Sequence, residues 1–489
     1  MAIKRYFATK DNTLTNAFKD GLTTRGTGSN MGEADIMEVF SIYGQATSAS
    51  SELSRAIVQF DTTTISTQRT AGDIPASGSV DFYLKMSDAE HTESTPRQFT
   101  LTIAAVSQSW TEGTGLDTIN YTDKGVSNWI SASQGTAWTN EGGDFLTGSG
   151  DSFMFTSKAF DGGTEDLEVN VTSIVEEWLI GTTGSYGFGV FLTSSQETAT
   201  ESYYTKKFFA RGSEFFHKRP VLEARWNDFT GDDSSNFYIS SSRAPATDNL
   251  NTIYMYNYVR GQLVNIPSIG AGAIYVSLYS GSTGPTGSAL SLPVGGDVAS
   301  AGDTAATGGY VSTGIYSASL AYTSSSITSV YPVWHNNAGT EFFSGSAVTV
   351  KSQESAGTFP IKDWVINITN LKTTYSTDEV TKFRLYVRPK NWNPNLYTVA
   401  QTQIETTPIE KAYYQLTRVI DDSTIIAYGT GSGNESYTQL SYDASGNYFD
   451  LDIGMLQSGY TYQLSFLFNL VGDYSEQRTK FKFRVSDGD

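Results

Sequence analysis

No cysteine occurs in the 489 residues, which excludes disulfides, thiolate metal centres and a cysteine nucleophile at once. Histidine is almost as scarce: His91, His217 and His335 are too few and too scattered for a nucleophile relay or a His-rich metal site, so each is expected to be structural or solvated. No apolar run is long enough to span a bilayer, and the first residues lack the apolar stretch of a signal peptide. The expectation is a protein made in the cytoplasm without a secretory signal. Positive charge is also short: 32 Lys and Arg stand against 51 Asp and Glu, a net charge of −19. Such a field disfavours nucleic acid or an anionic membrane as partner.

What the chain does have is glycine and aromatic side chains. With 46 Gly, 29 Tyr and 27 Phe, and only 17% charged residues, it favours pleated sheet joined by tight turns, with little helix. At ~150 residues per domain the length suggests about three domains. Period-2 alternation runs through Phe82, Leu84 and Met86, through Leu167, Val169 and Val171, and through Leu222, Ala224 and Trp226. Between the last two, Ser173 and Glu176 have the spacing of a helix capping box, and Gly181 would end that helix. A polar stretch, 227–236, reads as a linker, and 351–357 as a second one. The predicted architecture is therefore all-β, three β-sandwich domains in series at 1–226, 227–355 and 356–489. In the middle domain residues 295–309 read as a long exposed loop. In the last, the Leu456, Gly459, Tyr462 spacing is that of a tyrosine corner in immunoglobulin-like and fibronectin-like sandwiches. Phe481, Phe483 and Val485, alternating with Lys480, Lys482 and Arg484, predict a terminal edge strand kept soluble by charge.

The order of features in the first domain resembles the DNRLRE-type domain, a jelly-roll module similar to some carbohydrate-binding modules. The residues that carry the resemblance are Ser54-Arg55 through Phe60-Asp61, Trp110 with Glu112, Trp138 before Glu141-Gly142-Gly143-Asp144, and Val171-Thr172 before Trp178. Tyr186 to Val190 and Arg219 to Glu223 complete the series. The whole chain also resembles virion structural proteins of tailed phages of the marine type: no cysteine, rich in Gly, Ser, Thr and Tyr, several sandwiches in a row. That resemblance implies a role in the neck, tail or capsid of a particle.

Trp110, Trp129 and Trp138 are the candidate contact residues. Exposed on a jelly roll, their rings would stack on sugars or on a partner protein; as framework residues of the resembled family, Trp110 and Trp138 would fill the core instead. Paired acids could hydrolyse a glycan, and Glu112, Asp117, Glu141, Asp144, Glu176 and Glu177 are available. Glu176 already has a capping explanation, and 51 acids put some pairs together without function. Asp144, Asp161 and Asp166 are the oxygen ligands a structural calcium ion would take, at no diagnostic spacing. No cofactor is expected. The reading is a non-enzymatic virion protein whose partners are other virion proteins and copies of itself, with loops 113–121 and 295–309 as contact candidates. A carbohydrate-binding adhesin that recognises host surface glycan is the alternative, and a polysaccharide hydrolase the third.

Overall fold

The computed structural model describes residues 2–122, 125–241, 243–245, 248–352, 363–391, 406–431, 433–470 and 472–488. The expected boundary between residues 355 and 356, and most of the second linker, lie outside them. Two compact units emerge. One holds Met1–Asn227, Gly429–Tyr437 and Gly454–Ser458; the other holds Asp228–Tyr428, Thr438–Ile453 and Gly459–Asp489.

The first unit begins with β1 (Ile3–Phe7), β2 (Lys10–Thr15), β3 (Ile36–Tyr43) and β4 (Ser51–Gln59), then β5 (Asp81–Met86) and β6 (Phe99–Ala105). After a small hairpin of β7 (Ser131–Ser133) and β8 (Thr136–Ala137) come β9 (Phe155–Phe160), β10 (Leu167–Asn170), β11 (Phe188–Leu192), β12 (Tyr203–Phe209) and β13 (Val221–Arg225). They form a four-stranded sheet, β1-β13-β5-β10, and a seven-stranded one, β12-β3-β4-β11-β6-β9 with β2 on β4. The strand pairings in both sheets are antiparallel, most of them between strands distant in sequence. Along β5 the buried side chains are Phe82, Leu84 and Met86, as the alternation predicts.

Among the described residues α-helix is confined to three short pieces: α1 (Thr62–Ala71), α2 (Thr172–Ile180) and α3 (Ser194–Glu197). The sequence pattern gives no sign of α1, because only Ile65 is buried on it. Its ends are nonetheless well specified: Asp61 accepts from Thr63 N at 2.9 Å, and Gly72 closes it at φ +86°. On α2 the structure corrects the capping box. Ser173 lies inside the first turn, Val171 is the cap without a side-chain bond, and Glu176 instead receives both Arg69 Nη groups at 2.8 and 2.6 Å. The bidentate pair ties α2 to α1. Ile174, Val175 and Trp178 do face inward, and Trp178 meets Phe188 at 4.7 Å between ring centroids.

The second unit contains two sheet assemblies with separate interiors. The first runs β14 (Asn251–Tyr256), β15 (Tyr258–Val259), β16 (Gln262–Leu263), β17 (Ile274–Tyr279), β18 (Ala306–Ser312), β19 (Ile315–Leu320), β20 (Ser329–His335), β21 (Glu341–Ser344) and β22 (Val348–Thr349). Its sheet order is β14-β19-β18-β17-β20-β21, with β22 also on β20, around a core that includes Phe237, Ile253, Val276, Tyr316 and Trp334.

The second assembly comprises β23 (Trp364–Ile368), β24 (Thr374–Ser376), β25 (Val380–Pro389), β26 (Ala412–Arg418) and β27 (Ser423–Ile426), then β28 (Ser441–Asp443), β29 (Gly446–Asp452), β30 (Thr461–Leu470), β31 (Asp473–Glu476) and β32 (Phe481–Ser486). A four-stranded sheet, β23-β25-β29-β28, packs on a six-stranded one through an aromatic seam: Phe449 stacks on Tyr414 at 4.3 Å, and Phe383 lies 5.9 Å from Phe483. Tyr462 is fully buried there, 6.1 Å from Phe483.

Three expectations change here. Residues 227–236 are anchored rather than loose: Asp233 accepts from Thr252 N and from the Tyr442 hydroxyl, both at 2.7 Å. Residues 295–309 are not a long free loop, because Val298 enters the core, Asp297 accepts from Ser319 N at 2.6 Å, and the segment ends inside β18. And β32 is not an edge strand, since β24 pairs with it in parallel on the side away from β30.

Candidate functional site

All three tryptophans belong to one buried cluster with Leu14, Ile57, Val106 and Ala132; Trp110 and Trp129 are 4% exposed and Trp138 5%. Their polar edges are used internally. Trp110 Nε1 donates to Tyr186 O and Trp138 Nε1 to Asn128 O, each at 2.8 Å. Trp129 abuts two fixed neighbours. The Arg55 guanidinium stands 5.4 Å from its ring centroid, locked by two bonds to Glu197 at 2.8 and 2.7 Å. Gly142, whose carbonyl accepts from Arg55 Nη1 at 3.2 Å, also abuts the ring: it sits at φ +88°, where an added Cβ would lie 2.7 Å from the indole. The stacking platform expected of an exposed Trp110, Trp129 and Trp138 is thus corrected: their surfaces are taken up by protein.

The candidate acids are dispersed into structural tasks. Glu112 accepts Arg211 Nε and Nη2 at 3.0 Å each and the Asp11 amide at 2.7 Å. Asp11 in turn accepts Arg211 N at 2.5 Å. Burial pushes the Asp11 carboxyl up to about 7; the Arg211 amide opposes this and the Glu112 charge adds to it. Asp144 orders the turn before it by accepting Thr139 N at 2.7 Å and Asn140 N at 2.8 Å. Asp117 does the same for Ile119 N and Asn120 N. Glu141 is exposed and Glu177 half-buried. Of the calcium candidates, Asp166 accepts Asp88 N at 2.7 Å. Among the described residues no group of three or more His, Asp or Glu is placed to hold a metal ion.

The histidines are likewise engaged. His91 Nε2 lies 3.1 Å from both Asp88 Oδ1 and Gly163 O, beside the buried Lys206 ammonium, which bonds the same Asp88 at 2.5 Å. His335 Nε2 meets Ser277 Oγ at 2.9 Å while its Nδ1 meets Asn336 O at 2.8 Å. That is nucleophile and base spacing, but Ser277 is a buried residue of an inner strand. His217 packs edge-on to Phe216.

Sequence reasoning missed the most charged interior feature, on the outer face of the four-stranded sheet. Glu223, 1% exposed, accepts Arg5 Nε at 2.6 Å and Arg225 Nε at 2.7 Å, and Glu168 accepts Arg225 Nη2 at 2.7 Å. Burial alone would raise the Glu223 carboxyl; the attraction of Arg5, Lys85 and Arg225 overrides it and holds the group down to about 2. Tyr83 and Tyr437 flank Arg225 at 4.2 and 4.8 Å. The signal was Glu223 and Arg225 alternating with Leu222 and Ala224, which reads as an ordinary solvated face.

What the molecule presents outward is apolar at its tips. Leu116 and Ile119, in the expected contact loop 113–121, are each 51% exposed. In the second unit the β15–β16 hairpin displays Tyr258, Val259 and, just beyond, Val264. Next to it the β18 end displays Tyr310 and Val311. The two are joined by Asn257 N to Gly314 O at 2.8 Å and Gly314 N to Asn265 Oδ1 at 2.7 Å. No helix among the described residues is long and apolar enough to cross a membrane.

No protein-family model and no curated protein matches the chain. Solved structures align only loosely. The alpha-2-macroglobulin of E. coli aligns at 8% identity over 88% of this chain and 21% of its own, with a TM-score of 0.17. Salmonella alpha-2-macroglobulin reacted with methylamine aligns at 8% identity over 99% and 26%, TM-score 0.14. A putative membrane anchored protein from Corynebacterium diphtheriae aligns at 10% identity over 99% and 97%, TM-score 0.13. The chain spans about a quarter or less of the length of the alpha-2-macroglobulins it aligns with, and likenesses this loose assign it neither fold nor function.

Proposed function

We propose that this chain is a non-enzymatic structural protein of a tailed-phage virion, working by association with copies of itself and with neighbouring virion proteins. The observation that carries the reading is the apolar tip of Tyr258, Val259, Val264, Tyr310 and Val311. Exposed apolar side chains gathered at one place, on rigid strands and amid a polar surface, favour association. In a symmetric particle each such contact is repeated, so weak burial becomes strong attachment. The sheets behind the tips act as rigid carriers, and the acids weighed for glycan hydrolysis are largely engaged in bonds that fix loops and strands.

An antibody raised against the β15–β16 hairpin tests this. It should bind the isolated chain and lose access when the chain is in purified particles. Equal access in both would count against assembly through this tip.

A further inference from the structure

The seven-stranded sheet of the first unit ends on β12 at one side and on β9 at the other, and the two edges are finished differently. Along β12 the outward backbone groups are taken up by the segment 87–95. Tyr203 N donates to Thr95 O at 2.9 Å and Thr95 N to Tyr203 O at 2.8 Å. Ser94 Oγ donates to Thr205 O at 2.9 Å and accepts from Thr205 N at 3.0 Å. Lys207 O accepts from Ala89 N at 3.0 Å, and Phe209 N donates to Ser87 O at 3.1 Å. An edge closed in this way cannot template another strand.

Among the described residues β9 pairs with β6 alone. Ala105 N donates to Met154 O at 2.9 Å, which fixes the parity of that ladder: Thr156, Lys158 and Phe160 turn their backbone groups toward β6, and Phe155, Ser157 and Ala159 turn theirs away. Nothing among the described residues donates to or accepts from those three outward backbones. Their side chains are exposed too. The strand has no proline and no bulge, so of the devices that usually blunt an edge it keeps a single charge, Lys158.

From this geometry we infer that β9 is a self-association edge, on which β9 of a second copy adds antiparallel about a two-fold axis through Ser157. Only outward-facing residues can exchange ladder bonds, so Phe155, Ser157 and Ala159 must meet one another. Centred on Ser157, the register pairs Ser157 with itself and Phe155 with Ala159 of the second copy, twice by symmetry, and satisfies all three. Centring it on Lys158 would set two lysines directly opposite, and centring it on Thr156 would leave Ala159 facing the turn that precedes the strand.

Side chains agree with the Ser157 register. Strand addition draws affinity from the backbone and specificity from alternate side chains, and the row Phe155, Ser157, Ala159 is complementary to its own reversal: a ring beside a methyl, and two hydroxyls at the axis. Lys158 falls opposite Thr156, so no like charges meet across the strands even in a chain of net charge −19. The same register carries Phe153, 67% exposed in the turn before β9, toward the Gly162-Gly163 turn of the second copy, which adds apolar burial to the backbone bonds. This edge belongs to the first unit and the hairpin tip to the second, and the inference does not depend on the virion reading.

The test uses the whole chain, whose lack of cysteine makes one introduced thiol a specific probe. Residues that exchange ladder bonds have Cα atoms ~5.5 Å apart, inside the ~4.4–6.8 Å a disulfide spans. Under mild oxidation Ser157→Cys should therefore form a linked dimer about tenfold faster than Phe155→Cys, and mixing Phe155→Cys with Ala159→Cys should restore the fast rate. Sedimentation velocity from micromolar to near-millimolar chain, in high salt to screen the repulsion of two acidic copies, should show a boundary moving from one copy to two. Ser157→Pro removes the N–H at the axis, which faces solvent in the single chain, so it should weaken the dimer about tenfold or more with an unchanged melting temperature. If that variant melts early, the cysteine rates decide. A single-copy boundary at every concentration, which would leave the edge to a strand of another protein, would overturn the assignment. So would an undiminished dimer in a stably folded Ser157→Pro, or equal rates for Ser157→Cys and Phe155→Cys.

Discussion

Arg5 and Glu223 face each other directly across the β1–β13 pairing, 218 residues apart in sequence, with Nε 2.6 Å from Oε2. The pair closes the first unit: the strand at its beginning and the strand at its end are locked side by side by an ion pair whose carboxylate is out of water. Removing one partner leaves buried charge uncompensated. Glu223→Ala should therefore destabilise the first unit by about 3–5 kcal/mol, read by urea unfolding. Glu141→Ala, at an exposed carboxylate, should leave the same curve unmoved.

Asp11 and Glu223 pull the pH dependence in opposite senses. Asp11 titrates near 7 when folded and near 3.8 when unfolded, so the folded state holds the extra proton between those values and loses stability as pH rises through the window. Glu223 contributes stability above 4.5 that is lost as pH falls toward 2. Asp11→Asn should flatten the decline between pH 4 and 7 and raise the unfolding midpoint at pH 8. Urea midpoints measured from pH 4 to 8 check it.

Gly142→Ala should cost about 1–3 kcal/mol, because the methyl meets the Trp129 indole in a left-handed backbone conformation. A shifted tryptophan emission spectrum should accompany the loss. Trp129→Ala should cost about 3–5 kcal/mol by removing a buried ring and the surface under Arg55. On a glycan array, the first-unit tryptophans should yield no signal that this substitution removes while the fold is intact.

Replacing Tyr258 and Val259 together with serine should change stability by no more than ~0.5 kcal/mol, since both side chains are exposed. Incorporation into particles should nevertheless fall several-fold. Competition between tagged wild-type and variant chains during infection measures it.

How much was legible follows the range of each interaction. The strand through Phe82, Leu84 and Met86 shows in local alternation. The parallel partner of β32 does not, because β24 is three residues long and pairs with positions 110 residues further along the chain. The threonine-rich α1 hides because one buried residue makes no periodicity. For the sites, composition drew attention to Trp110, Trp129 and Trp138, yet only packing shows that Gly142 and Arg55 abut Trp129.

For the proposed virion role, the most direct measurement is quantitative mass spectrometry of gradient-purified tailed-phage particles assembled in cells that express this chain. The account predicts the protein at a fixed whole-number ratio to a known symmetric component, retained after high-salt washing. Absence from the particles, or a trace amount that washes away, would contradict it.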